Sequence, residues 1–145
     1  GLNSSNTDVC HFVKPLSVGV IITTSMLLEE FKQKYILSDG QVLSLACDFS
    51  QRQVQIQLNV RKWTGKKPEP CILDILFNGV TELDLLDNFD VSSYSDVVFV
   101  KTDEGDYYTS FDPFGNSGKP SENDNFVIKS LEVVFFDGEE GVKLN

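Results

Sequence analysis

The stretch "VQIQLNV", residues 54–60, alternates apolar and polar side chains without a break. A strand turns successive side chains to opposite faces, so Val54, Ile56, Leu58 and Val60 share one face, with Gln55, Gln57 and Asn59 on the other. A 3.6-residue period would scatter those four apolar residues around a helix. The segment therefore reads as a half-buried strand, and its neighbours extend the pattern. Upstream, Leu43, Leu45, Cys47 and Phe49 alternate with Ser44, Ala46 and Asp48, and "SQRQ" (50–53) makes the turn of an antiparallel hairpin. Downstream, "TGKKPEP" (64–70) is a loop by its glycine and two prolines. "CILDILFNG" (71–79) is apolar on both phases, as expected of a central strand covered on both sides. Asn78-Gly79 predicts a tight turn into the strand "VTELDLL" (80–86).

Two further strands, "DVVFVK" (96–101) and "DYYTSF" (106–111), flank the turn Thr102-Asp103-Glu104-Gly105. "FVIKSLEVVFF" (126–136) closes the series before Asp137-Gly138. One segment breaks the period of two. In "SMLLEEFKQKY" (25–35), Leu27, Leu28, Phe31 and Tyr35 form one apolar stripe, which predicts a helix over about 26–36. Ser25 is positioned to cap it, Glu29 and Glu30 fall early, Lys32 and Lys34 late, and Ser38-Asp39-Gly40 stops it. The fold class is mainly β (α+β): an antiparallel β sandwich or half-barrel with one principal helix near the N-terminus.

A chain of 145 residues is expected to form a single domain, 1–145, with 1–25 a loosely attached or non-native extension. Its 41% apolar content argues against a disordered chain and a membrane protein alike. The apolar run Val18–Ile22 is interrupted by Gly19 and falls far short of the roughly 20 residues a spanning helix needs. It lacks the small-residue cleavage site of a signal peptide. Cys10, Cys47 and Cys71 are too far apart for a C-x-x-C site, and an odd count leaves at least one thiol outside any intrachain bridge. Cys47 reads as a buried, inert thiol on a strand face. A reducing, cytoplasmic location follows as the expectation, with Cys10–Cys71 and Cys47–Cys71 pairings open.

Charge is distributed unevenly. Residues 1–80 carry 7 acids and 8 bases, residues 81–125 carry 11 acids and 2 bases, and residues 126–145 carry 4 and 2. Almost all of the net −10 therefore sits in one segment of 45 residues. Such a face repels phosphate backbones and attracts basic partners, so neither nucleic acid nor membrane is an expected partner. Arg61, Lys62, Trp63, Lys66 and Lys67 mix bases with an aromatic. In this negative field they are expected to pair with the acidic segment or another copy of the chain.

Catalytic chemistry finds little to use. The only histidine is His11, no Gly-rich phosphate loop is present, and no cofactor site is expected. Two carboxylates suffice for a glycosidase, but among 22 acids a close pair is unremarkable. Asp103, Glu104, Asp106, Glu122, Asn123 and Asp124 offer hard oxygen ligands, yet not at EF-hand spacing. The expectation is a non-enzyme without a metal. Tyr107, Thr109 and Phe111 form one strand phase and Tyr108, Ser110 and Asp112 the other, which predicts one tyrosine inward and its neighbour exposed beside acids. The resulting candidate partner-binding set is Asp103, Glu104, Asp106, Tyr107, Tyr108, Glu122, Asp124 and Trp63.

The succession "SDGQVLSLACD", "VQIQLNV", "ILDILFNGVTELDL", "SFDPFG" and "VIKSLEVVF" resembles the immunity protein 50 family of bacterial polymorphic toxin systems, over roughly residues 36–136. The resemblance implies a cytoplasmic antidote that binds and blocks a cognate toxin domain, and it brings no catalytic residues. A basic toxin domain is the partner this expects. The rival class is a carbohydrate-type ligand-binding module using Trp63, Tyr94, Tyr107 or Tyr108 as stacking platforms, and a plain structural domain is the third.

Overall fold

The computed structural model describes residues 22–85 and 93–145. In chain order the elements are β1 (Ile22–Met26), α1 (Leu28–Lys34), β2 (Tyr35–Asp48), β3 (Gln53–Trp63), β4 (Pro68–Asp84), β5 (Val98–Lys101), β6 (Tyr107–Asp112), β7 (Asn125–Phe136) and β8 (Gly141–Leu144). They form one sheet in the order β1-β8-β7-β4-β3-β2, with β6 also on β7 and β5 on β6. Among the described residues the protein is mainly β with one helix, and every strand pairing there is antiparallel except β1 with β8, which is parallel.

The alternation in β3 reaches the structure intact. Val54, Ile56, Leu58 and Val60 are buried in the main core beside Leu73, Ile75 and Phe77 of β4. Gln55 is buried too, on the opposite face, so the strand is covered more fully than a half-buried one. In β4 the two-phase apolar pattern has its expected result at Leu76, which joins Val134 and Phe136 in a second cluster, whereas Ile72 stays exposed. The sheet curls until the chain entering β5 returns to the edge of β2. Asp39 N–H donates to Ser95 O at 2.8 Å, Tyr94 N–H donates to Gly40 O at 3.0 Å, and Gln41 bridges Ser93. This is the half-barrel form of the expected architecture. Helix α1 fills one end with Phe31, whose ring lies 4.7 Å from Phe135, 5.1 Å from Tyr35 and 5.8 Å from Phe99.

Four local expectations are corrected. Asn78-Gly79 does not turn the chain: β4 runs through it, with Gly79 at φ 64° and a register shift between Val80 and Glu82. There β4 leaves β3 and continues on β7 alone, while Val80 N–H reaches back to Arg52 O at 2.9 Å. The helix is shorter than expected because residues 22–26 are drawn into pairing with β8, so Ser25 lies opposite Lys143 instead of capping. Glu30 accepts from Leu27 N–H at 3.2 Å at the helix start, and Leu27 itself is exposed. Ser38-Asp39-Gly40 lies inside β2, at an irregularity in its register with β3. A second irregularity between Val42 and Ser44 leaves Leu43 exposed, and Phe49 projects from the following turn at 85% exposure. Cys10 and His11, with the whole apolar run but Ile22, lie outside the described residues.

Candidate functional site

The loop after β6 is built on Asp124. Proline at 113 cannot donate to a ladder, so β6 ends at Asp112 and the chain runs through residues 113–124 before β7 begins. Asp124 is 5% exposed, and its carboxylate accepts from Phe114 N–H at 2.7 Å, Ser121 N–H at 2.8 Å and the Tyr108 hydroxyl at 2.6 Å. Burial opposes its charge, but these bonds hold the carboxyl below its ordinary range. The Tyr108 phenol is pushed up, by burial first and then by Asp124. The clamp fixes the loop's backbone at both ends and leaves Phe114 pointing outward, 63% exposed. Asp112, two residues before Phe114, and Glu122, two residues before Asp124, are exposed.

Both tyrosines are interior, which corrects the expectation of an exposed one: Tyr107 is 3% and Tyr108 6% exposed. The cause is the position of β6 between β5 and β7, with residues on both of its faces covered. Tyr107 points into the core and donates to Leu144 O at 2.9 Å; Tyr108 points the other way, to Asp124. Asp103 and Glu104 are exposed on the β5–β6 turn, while Asp106 is half-buried and accepts from the Thr102 hydroxyl, so it shapes that turn. This turn and the Phe114 loop are at opposite ends of β6, a strand of six residues, hence roughly 20 Å apart. Trp63 sits elsewhere again, at the end of β3 opposite Pro68, 46% exposed. The candidate set is thus divided among three places. Of the aromatics named for carbohydrate stacking, Tyr94 is half-buried with its ring 5.2 Å from Phe111, and Trp63 is the exposed one. Among the described residues no three of His, Cys, Asp or Glu converge as a metal site.

A second polar constellation was not anticipated from sequence. Asp137, just after β7, accepts from the Tyr35 hydroxyl at 2.8 Å and from Lys62 Nζ at 2.7 Å, with Cys71 Sγ 3.7 Å from its other oxygen. Lys62 therefore pairs outside the 81–125 segment. Burial works against the Asp137 charge, yet the Lys62 and Tyr35 bonds keep its carboxyl low; the Asp137 bond raises Lys62. Burial, then Asp137, pushes the Cys71 thiol up to about 11 and the Tyr35 phenol upward. Each proton is thereby held where it is at neutral pH, the reverse of what a general acid or base needs. The cluster ties β2, β3 and β4 to the end of β7. Cys47 and Cys71 are both outside any disulfide.

Comparison with family models, with curated proteins and with solved structures finds no match to this chain. Among the described residues, no helix is long and apolar enough to cross a membrane.

Proposed function

We propose that this protein works by binding another protein, with the β6–β7 loop as its contact surface. One observation carries the reading: Phe114 is a large apolar side chain held out in water by a loop that a buried carboxylate has already ordered. An anchor that needs no further ordering loses little conformational entropy on association, which is how a single aromatic comes to dominate an interface. Asp112 and Glu122 would form its rim, and none of the ion pairs among the described residues involves them. The partner is then a protein with an apolar recess bordered by lysine or arginine. A cytoplasmic immunity protein that blocks a basic toxin domain is the specific form that the sequence resemblance implies, and an acidic antidote would find such a target quickly.

Affinity capture from the source organism's lysate, with Phe114→Ala beside the parent chain, tests this. A basic protein retained by the parent and lost by the variant is the expected result. Retention on a glycan array with no protein captured would move the assignment to the ligand-binding module, centred on Trp63.

A further inference from the structure

We propose a binding site for an internal water molecule between β6 and β7, bridging Thr109 Oγ1 and Ser130 Oγ. Both residues are buried, at 1% and 0% exposure, and neither hydroxyl oxygen has a hydrogen-bond partner. Leaving two buried hydroxyls unmatched is costly, and internal water is the usual means by which such groups are satisfied. The strand register brings them together. Tyr107 lies opposite Ser130 and Thr109 opposite Ile128, so Thr109 and Ser130 are diagonal neighbours on the face that also carries the core residues Tyr107 and Ile128. Diagonal Cβ atoms stand roughly 7 Å apart, too far for small hydroxyls to meet comfortably but close to the span of two hydrogen bonds of about 2.8 Å through one water oxygen.

Room for that water would come from the opposite edge of β7. Val80 is aligned with Ser130 and Glu82 with Lys129, so β4 carries one extra residue, Thr81, where it passes Ser130. A bulge leaves part of the ladder unpaired and bends the strand. A small side chain at Ser130 against that bulge would give the water its space, while Thr81 Oγ1 already donates to Lys129 O at 3.5 Å across the same irregular stretch. Serine and threonine in an otherwise apolar layer are thus explained as the walls of a hydrated site.

A crystal structure of the full chain at better than 1.8 Å tests this directly. One ordered oxygen within hydrogen-bond distance of both hydroxyls is expected. Hydroxyls turned onto backbone carbonyls, with no density between them, would overturn the proposal. Thr109→Val, Ser130→Ala and the double variant give a second measurement in solution. If one water joins the two sites, either single change leaves it poorly held. The loss in melting temperature of the double variant is then smaller than the two single losses added together. Strictly additive losses would contradict a shared water.

Discussion

Asp137 is where single atoms decide most. Its Oδ2 receives both the Tyr35 phenol and the Lys62 ammonium, which come from different strands. Asp137→Asn keeps the shape but removes the charge, and it should cost about 1–3 kcal/mol at neutral pH by weakening bonds to a buried phenol. The pH dependence has a definite sign. Because the folded carboxyl lies below its ordinary value of about 3.9, its contribution is complete above that pH and is lost as pH falls through the folded value. Denaturant titrations should therefore show the gap between parent and variant narrowing from pH 5 towards pH 2. A gap that stays constant to pH 2 would show that the charge contributes nothing. Gly79 makes a sterically defined position: its φ of 64° suits glycine, and an added Cβ would stand 3.0 Å from the Leu131 side chain. Gly79→Ala should destabilise by about 1–2 kcal/mol, read from the urea midpoint; an unchanged midpoint would mean the backbone at 79 relaxes freely.

Strand β3 sits between two long partners, and Ile56 at its centre is fully buried. Ile56→Ala should lower stability by about 2–5 kcal/mol in chemical unfolding, and a loss under 1 kcal/mol would place Ile56 outside the core that organises the sheet. This strand was the most legible part of the sequence because one face decided its pattern. Elements went wrong where a longer-range pairing outweighed a local signal. Asn78-Gly79 carries a hairpin signal, but continuing along β7 adds four further pairs, from Val80–Ser130 to Asp84–Val127, at no new loop, and the glycine stays inside the strand just before the bulge at Thr81. Ser25 offers a helix cap, but parallel pairing with β8 takes it into a strand. The tyrosines of β6 depart from expectation for a related reason: alternation tells which two faces a strand has, and cannot tell whether both are covered. Phe114 did have a readable signal, since an aromatic between Pro113 and Gly115 falls in a turn where no strand face can bury it. The buried clamping roles of Asp124, which its acidity had marked as a contact residue, and of Asp137 had none, because their partners lie in other elements or across a loop.

On the scale of the molecule, the acidic excess of residues 81–125 resolves into separate places, and Tyr107 and Tyr108 serve the interior. Among the described residues of that segment, a clamped loop with the exposed Phe114 and the exposed carboxylates Asp112 and Glu122 lies at one end of β6, and a second acidic turn lies roughly 20 Å away at the other. Rim charges chiefly govern encounter, whereas a desolvated anchor governs how long a complex lasts. The decisive measurement is the association and dissociation kinetics of the captured partner with three variants, across a range of salt concentrations. Asp112→Lys with Glu122→Lys should slow association and flatten its salt dependence. Phe114→Ala should speed dissociation about tenfold or more, and Asp103→Lys with Glu104→Lys should have the smaller effect on both rates. Unchanged kinetics for the first two variants, with the Asp103 and Glu104 reversals abolishing association, would contradict the loop as the binding surface.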